Sequence, residues 1–410
     1  MSTTLITILG KGRYDEKTGY KRATYQFADG TQRITPYFGL ALAEHIQPQK
    51  LIILGTAGSM WDVLVEQHLA QNNSHETLRL ELMDSASQNA VTQDLLDRIT
   101  PLLQESIAHE VVLRLIPSGK TDAEQIGILE SIAHTLGKQQ THLHIDITHG
   151  FRHLAIVGFL SAAMLERLRS QLHVESLWYG ALDMTQDDIT PVIRLDGLNA
   201  VQGWVSALDR FDANGDYSVF APLLEADGLP ADKAERLTEA AFFEATTQIP
   251  NAARSLRTLL PEMEARALQG ASALFQDQLK KRLQWARLDD LAEQQRILAL
   301  RALERGDLLR TAILGLESLI SKQIQNAKRD PYDYRARKSE DEQLQYEIKN
   351  DQHPDWLRQA YWNMKNLRNS MTHGTPPDIP YLQQLIKNPD RLRKELESTL
   401  GRLNTSYFSS

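Results

Sequence analysis

Three polar residues near the carboxyl end of the chain, Arg368, Asn369 and His373, have side chains that phosphoryl-transfer chemistry uses. An arginine can bind a scissile phosphate and stabilise the extra charge that develops on it. A histidine can move a proton to or from a ribose 2′-hydroxyl or a leaving 5′-oxygen. Such a set suits RNA cleavage without a metal, in which the 2′-hydroxyl is the nucleophile and a 2′,3′-cyclic phosphate is the expected product.

The spacing from Arg368 to His373 does not by itself bring the two side chains together. Residues i and i+5 of a straight α-helix point well apart, because the helix has about 3.6 residues per turn. Gly374 and Pro376 follow and are expected to end the helix. We expect this helix end to let His373 leave the regular helix and turn back towards Arg368. The alternative interpretation is that His373 caps a helix end and Arg368 is solvated.

A second polar stretch joins a strand-like segment to a long apolar run. Its sequence is Asp146-Ile147-Thr148-His149-Gly150-Phe151-Arg152. A turn of this kind lies at the carboxyl end of a strand, where open α/β sheets bind their ligands. We expect Asp146 and Thr148 to face that crevice, Gly150 to admit a ligand to the backbone, and Arg152 to place a cation at the helix start. A simple aspartate or threonine helix cap with a solvated Arg152 is the alternative.

Three further turns follow predicted strands and carry glycine, hydroxyl or cationic residues. They are Gly10-Lys11-Gly12-Arg13, the stretch from Gly55 and Thr56 to Ser59, and the stretch from Pro117 to Asp122, which contains Lys120. None matches a Walker loop or a dinucleotide fingerprint. If they converge on one sheet edge, they form an anion-accepting crevice. We therefore predict ligand-binding roles for Gly10, Lys11, Gly12, Gly55, Thr56, Ser59, Lys120, Asp146, Thr148, His149, Gly150 and Arg152.

The elements that must position these residues fall into two halves. Strands and helices alternate up to about residue 197, which predicts a doubly wound, mostly parallel sheet with helices on both faces. Within it we predict a hairpin from residue 20 to 34 and a possible third strand at 78–82. From residue 198 to 410 the pattern is helical throughout. There we predict a mobile loop at 322–345 and the last clear helix from residue 354 to Gly374.

Composition narrows the class of protein. The 410-residue chain has no cysteine, which excludes disulfides, thiolate zinc sites and a cysteine nucleophile. Its formal net charge of -8 does not suggest binding to long nucleic acid, so any nucleic-acid chemistry must be local. No signal peptide or membrane span is evident, and we expect a cytoplasmic protein.

Several motifs together resemble the CRISPR-associated DxTHG-motif family. Residues 146–150 match its signature, and Gly55-Thr56 with Ser59-Met60-Trp61 is similar to the family, as is the Tyr20–Gly30 hairpin. That family joins an N-terminal Rossmann-like CARF domain to a C-terminal helical HEPN domain. The HEPN signature is Arg-x-x-x-x-His, often with Asn after Arg, and Arg368, Asn369 and His373 match it.

The resemblance implies an auxiliary ribonuclease of type III CRISPR antiviral defence. Its CARF domain, here residues 1–197, would bind a cyclic oligoadenylate, most often the four-membered ring. Residues 198–410 would form a helical connector and a HEPN domain that cleaves single-stranded RNA when the activator binds. A homodimer or higher homo-oligomer and no metal or other cofactor are implied. Glu317, where HEPN folds often carry an acidic residue, has the sequence context of a solvated charge.

Three alternatives remain at the level of the sequence. In the first, the HEPN half is inactive and the protein is a ligand-binding regulator that acts through a partner. In the second, the CARF half also degrades its activator, with Thr148, Lys11 and Ser59 as candidates. A small-molecule Rossmann enzyme is the remaining possibility, and the missing dinucleotide fingerprint disfavours it.

Overall fold

The structure, a computed structural model, describes residues 2–12, 14–15, 19–69, 75–265 and 267–403. It divides into two compact units, Met1–Asn199 and Ala200–Ser410. Arg13, which was predicted to add a cation to the first turn, lies outside the described residues.

The first unit is built on an eight-stranded sheet with the order β5-β4-β10-β9-β8-β1-β6-β7. Pairing is parallel from β9 through β8, β1 and β6 to β7, and antiparallel between β9 and β10 and between β4 and β5. The short strands β2 and β3 form a separate pair. The strands are β1 (Thr3–Leu9), β2 (Tyr14–Asp15), β3 (Gly19–Tyr20), β4 (Ala23–Gln26), β5 (Gln32–Thr35), β6 (Lys50–Gly55), β7 (Glu110–Leu115), β8 (His142–Asp146), β9 (His173–Gly180) and β10 (Ile189–Arg194).

The central strands are buried on both faces because helices cover both sides of the sheet. Along β1, Leu5 and Leu9 belong to one apolar cluster, whereas Ile6 and Ile8 belong to the cluster on the opposite face. This alternation is the two-residue period of a strand, and apolar residues on both faces mark a covered parallel sheet. The covering helices are α1 (Phe38–Ile46), α2 (Asp62–Leu69), α3 (Glu76–Ser87), α4 (Gln93–Ser106), α5 (Asp122–Leu136) and α6 (Arg152–Leu168).

The predicted fold class is confirmed, but one predicted strand is wrong. Residues 78–82 lie in helix α3, not in a strand. Leu78, Leu80 and Leu82 alternate as in a strand, yet only Leu82 is buried and Leu80 is 51% exposed. Leu82 and Ala86 are four residues apart, which is the spacing of one helix face.

The second unit is entirely helical in its described part. One large apolar cluster runs through it and includes the fully buried Trp204, Leu319 and Tyr361. The helices are α7 (Asp196–Asn214, which starts in the first unit), α8 (Ala221–Ala226), α9 (Ala231–Ala245), α10 (Ile249–Ala265), α11 (Ser272–Leu283), α12 (Leu291–Glu304), α13 (Leu308–Asn326), α14 (Tyr334–Lys349), α15 (Asp355–His373), α16 (Pro380–Ile386) and α17 (Pro389–Arg402).

The prediction of a mobile loop at 322–345 is also wrong. The end of α13 and most of α14 occupy this range, and Asp330-Pro331 lies in the turn between the two helices. The high charge of α14 concealed a narrow buried stripe, Glu340, Leu344 and Ile348, whose four-residue spacing marks one helix face. Two further helices, α16 and α17, follow α15, so the predicted last helix is not the last.

No helix among the described residues combines the length and the apolar character that a membrane span requires.

Candidate functional site

The turns that follow β1, β6 and β8 meet at the carboxyl edge of the sheet, as predicted. The backbones of the first and third turns are so close that a Cβ on Gly10 would lie 2.4 Å from the Gly150 nitrogen. The Ser59 hydroxyl donates to the Leu9 carbonyl at 2.7 Å, and the Met60 amide donates to the Gly10 carbonyl at 2.9 Å. Gly10 therefore acts by allowing two backbones to touch.

The turn after β7 reaches the same edge through helix α6. The His153 ring contacts the Ser118 carbonyl with a separation of 2.7 Å between Nε2 and the carbonyl oxygen. Thr121 caps α5 by accepting from the Glu124 amide at 3.3 Å, and the Glu124 carboxylate accepts from the Lys120 amide at 2.7 Å. All four predicted turns thus belong to one edge of the sheet.

Asp146 does not face the crevice, and this prediction is wrong. Its side chain is fully buried. One carboxylate oxygen accepts from the Thr7 hydroxyl at 2.6 Å and the other from the Thr148 amide at 2.8 Å. Burial raises the pKa of Asp146 to about 6, although these hydrogen bonds oppose the shift. Asp146 therefore stabilises the turn from the interior of the domain. A ligand in the crevice would contact the backbone of this turn and not the Asp146 carboxylate.

Thr148 and His149 are half-buried, and both are engaged within the domain. The Thr148 hydroxyl oxygen accepts from the Gly180 amide at 2.7 Å, which ties the turn to the end of β9. The His149 Nε2 accepts from the Phe38 amide at 3.1 Å, and burial lowers the pKa of His149 to about 4. A neutral imidazole is required for this contact, because a protonated ring has no acceptor.

Gly150 has a backbone φ of +94° and is exposed. A Cβ at this position would lie 2.6 Å from Ile8 Cγ2, so both conformation and space favour glycine. Its backbone is the part of the polar stretch that is open to solvent, as predicted.

The turn after β6 uses its polar groups internally. Ser59 is buried, and its hydroxyl oxygen accepts from the Thr56 amide at 2.9 Å. The Thr56 carbonyl in turn accepts from the Trp61 indole at 2.9 Å. A Cβ on Gly55 would lie 2.6 Å from the Trp61 ring, so this glycine is needed for packing. These residues stabilise the turn, and few of their polar groups remain free to bind a ligand.

Unlike the polar groups of these turns, the three predicted cations are open to solvent. Lys11, Lys120 and Arg152 are all exposed. Within the described residues, no hydrogen bond or ion pair holds their side chains. Unpaired cations around one sheet edge create a positive local field in a chain of negative net charge, so they can attract an anionic ligand.

A pocket of about 370 Å³ opens beside Lys11 and Gly12, which is within the usual size range of small-molecule sites. Tyr20 donates its hydroxyl to both oxygens of the buried Asp62, at 2.7 and 2.9 Å. Burial raises the pKa of Asp62. The sequence did not indicate Asp62, since a lone aspartate after Trp61 looks like a helix cap. The other lining residues are Gly58, Ser59, Met60, Met83, Ala86 and Ser87.

In the second unit, the candidate catalytic residues occupy the last two turns of α15. The half-buried Arg368 donates from Nε and Nη2 to the Asn369 side-chain oxygen at 3.1 and 2.9 Å. Asn369 and His373 are exposed. Gly374 ends the helix in the left-handed conformation with φ 66°, and its amide donates to the Ser370 carbonyl.

His373 does not leave the regular helix, which corrects the prediction. It is the last residue of α15, because the cap is formed one residue later by Gly374. Residues five apart on a helix differ by about 140° in direction, so Arg368 and His373 diverge. Within the described part of the chain, no hydrogen bond joins the two side chains.

Two charged contacts beside this helix were not found from the sequence. Asp341 of α14 accepts from the Tyr361 hydroxyl at 2.5 Å and from the Lys365 ammonium at 3.1 Å. Glu317, expected to be solvated, is paired with Arg337. Each contact joins residues that are about 20 positions apart, and no local periodicity predicts such a pair.

Among the described residues, no group of three or more acidic, histidine or cysteine side chains is arranged to hold a metal ion.

Comparison with known proteins places the first unit in a family. Residues 4–181 match the model of the CARF domain of the CRISPR system endoribonuclease Csx1. The CRISPR-associated protein MJ1674 of Methanocaldococcus jannaschii is 23% identical over 287 residues, which cover 64% of this chain and 44% of that protein. The chain thus spans less than half the length of this relative. The chain therefore contains a CARF domain of the Csx1 type at residues 4–181, and it is similar to a CRISPR-associated protein.

Proposed function

We propose that the protein is a metal-independent endoribonuclease of type III CRISPR antiviral defence, activated by a cyclic oligoadenylate and in particular by cyclic tetra-adenylate. The observation that carries the proposal is the combination of a Csx1-type CARF domain with Arg368, Asn369 and His373 at the end of a helix in an all-helical second unit. The second unit is then a HEPN domain.

The sensing site is the carboxyl edge of the CARF sheet. Lys11, Lys120 and Arg152 are exposed cations with no side-chain partner among the residues that the structure describes, and they can contact the phosphates of the ring. Gly150 keeps the backbone accessible, Gly10 allows the two turns to pack together, and the pocket beside Lys11 has room for a base. Asp146, His149, Thr148 and Ser59 do not contact the ligand with their side chains in this proposal, because their polar atoms hold the turns in place.

The reaction needs only protein groups and the RNA itself. Arg368, oriented by Asn369, binds the scissile phosphate and stabilises the charge of the transition state. His373 transfers the proton of the attacking 2′-hydroxyl or of the leaving 5′-oxygen. The P–O5′ bond breaks as the 2′-oxygen bonds to phosphorus, which leaves a 2′,3′-cyclic phosphate and a 5′-hydroxyl.

The active protein is a homodimer, and two features support this. Arg368 and His373 diverge on one helix, so a complete cleft requires residues of a second copy. In the CARF domain, an apolar stripe lies on the outer face of α6, directly after the sensing turn. Its members are Ile156, Leu160, Met164 and Leu168, which are 61%, 59%, 49% and 67% exposed. A self-complementary stripe of this kind suits a two-fold contact.

The structure does not favour the alternative that the CARF domain degrades its activator. The Ser59 hydroxyl is buried and donates its proton to the Leu9 carbonyl, so it is not available to a ligand. The Thr148 oxygen accepts from the Gly180 amide, which occupies a lone pair that an attacking hydroxyl would use.

The test is cleavage of single-stranded RNA in EDTA with cyclic tetra- or hexa-adenylate. We expect products that end in 2′,3′-cyclic phosphate. Arg368→Ala and His373→Ala should each lower the cleavage rate by at least a hundredfold, a loss of roughly 3 kcal/mol of transition-state stabilisation, with unchanged affinity for the ring. Absence of cleavage with either ring would contradict the nuclease and would favour the regulator alternative.

A further inference from the structure

The turn between α13 and α14 and the first turn of α14 carry a basic and aromatic surface that no function described above uses. Residues 328–338 contain five cations and two carboxylates, in a chain whose net charge is -8. Tyr332 and Tyr334 are 58% and 77% exposed. Exposed aromatic rings beside clustered cations are the groups with which proteins bind single-stranded nucleic acid.

Two of the five cations are structural. Arg337 donates to the Ser321 hydroxyl at 2.9 Å and to the Pro331 carbonyl at 3.1 Å, and it is paired with Glu317. Arg329 is paired with Glu340. These contacts fix the turn to α13 and α14, so the tyrosines are presented from a well-anchored backbone.

The other three cations are available. Lys328, Arg335 and Lys338 are exposed, and across the described ranges no side-chain partner holds them. The two carboxylates of the segment accept from backbone amides of the turn, Asp330 from Tyr332 at 2.8 Å and Asp333 from Arg335 at 2.9 Å. These three cations therefore flank the two exposed rings along the chain, with Lys328 before them and Arg335 and Lys338 after them.

The position of this surface relates it to the candidate catalytic residues. His353, just before α15, contacts Glu347 near the end of α14 at 2.8 Å. Further along α15, Tyr361 and Lys365 contact Asp341, which is earlier in α14. The two helices therefore run antiparallel. Because Tyr334 precedes Asp341 by two turns, about 10 Å, it lies towards the end of α15 that carries Arg368 and His373.

We infer that Tyr332, Tyr334, Lys328, Arg335 and Lys338 form a track for single-stranded RNA that leads to Arg368 and His373. Bases stack on the tyrosines, and the cations contact the phosphates between them. The track recognises unpaired RNA by stacking and charge, so it binds single strands with little sequence preference. This inference rests on the proposed ribonuclease function and adds the surface that would deliver its substrate.

The test measures RNA affinity in the full-length His373→Ala protein, which cannot cut its ligand, with cyclic tetra-adenylate present. Fluorescence anisotropy of a labelled, unstructured RNA oligonucleotide gives the Kd at several salt concentrations. Tyr334→Ala should weaken binding about tenfold, as expected for one lost stacked base, and Tyr334→Phe should restore it. Arg335→Ala with Lys338→Ala should lower the slope of log Kd against log salt by about 1.4, as expected for two phosphate contacts to a single strand.

Tyr346 is the matched control, because it is 66% exposed on the same helix but lies at its other end. Tyr346→Ala should bind RNA like the parent. Unchanged affinity and salt dependence in all the α14 variants would overturn the track and leave the nuclease standing, as would equal losses in Tyr334→Ala and Tyr346→Ala. A parent protein that binds no RNA would overturn both the track and the proposed nuclease.

Discussion

At the scale of single residues, the polar signature at 146–150 works mainly by holding its own turn. Residue types and spacing predicted correctly that this stretch lies at a strand end beside other small and cationic turns. They could not predict the direction of the Asp146 side chain, because an aspartate after a strand can face solvent or, as here, meet the hydroxyl of a neighbouring strand. That neighbour, Thr7, lies 139 residues away in sequence.

Asp146 gives a prediction about stability and pH. Its pKa in the folded protein, about 6, is above the ordinary 3.8, so the folded state binds more protons between these values. The stabilisation from Asp146 is therefore complete below about pH 4 and is lost as the pH rises through 6. Asp146→Asn removes this titration. The difference in free energy of unfolding, wild type minus variant, should fall by up to about 3 kcal/mol from pH 4 to 7.

Denaturant unfolding of both proteins at a series of pH values measures this difference. His149, whose pKa is lowered to about 4, has the opposite effect, because its folded form binds fewer protons and gains stability as the pH rises to about 6.5. Since His149 is present in both proteins, its contribution cancels in the difference. A difference that does not vary with pH would show that Asp146 is not a buried acid.

Asn369 gives a second prediction at this scale. Its side-chain oxygen accepts two hydrogen bonds from Arg368, so Asn369→Ala releases the guanidinium without removing it. We expect about a tenfold loss in kcat for RNA cleavage, the equivalent of one or two hydrogen bonds, and a smaller loss than in Arg368→Ala. Asn366→Ala, on the same helix, is the control, and it should keep its activity. An equal loss in the two asparagine variants would indicate damage to α15 as a whole.

At the scale of elements, the sequence predicted helices and strands best where an element is buried on one face or on all sides. The apolar runs of β1 and β6 and the helical half were predicted, because apolar periodicity is a local property. Helix α14 was missed, since its buried stripe is narrow and its remaining positions are charged. Helix α3 was predicted as a strand because Leu78, Leu80 and Leu82 occupy alternate positions, as in a strand. Such a short pattern also occurs in helices, and tertiary packing decides between the two.

The exposed stripe of α6 predicts a contact between two copies of the chain. Leu160→Glu places a charge in the centre of this stripe and should convert the proposed dimer to a monomer, as measured by light scattering after size-exclusion chromatography. Ile34→Glu is the matched control, because Ile34 is 66% exposed on the edge strand β5. If Leu160→Glu keeps the mass of the wild type while Ile34→Glu does not, the edge strand is the interface and the stripe is not.

At the scale of the whole molecule, two chemistries reside in separate units, each with its own apolar core. In its described part, the CARF unit offers exposed cations without a side-chain partner, and the accessible backbone of Gly150, at one sheet edge. The helical unit offers an arginine, its asparagine partner and a histidine. Neither group of residues can perform the proposed function alone. We therefore expect binding of the ring at the CARF sheet edge to control RNA cleavage by Arg368 and His373.

The most direct measurement is the single-turnover rate of RNA cleavage in EDTA as cyclic tetra-adenylate is titrated. It compares the wild type with Lys11→Ala/Arg152→Ala and with Lys138→Ala. Lys138 is also an exposed cation, and it lies before β8, at the opposite end of the parallel strands. We expect cleavage that saturates at one ring per two chains in the wild type and in Lys138→Ala. The double variant should need at least tenfold more ring, the equivalent of about 1.4 kcal/mol of lost binding. Equal cleavage with and without the ring, or an unchanged titration in the double variant, would contradict this control of cleavage by the ring.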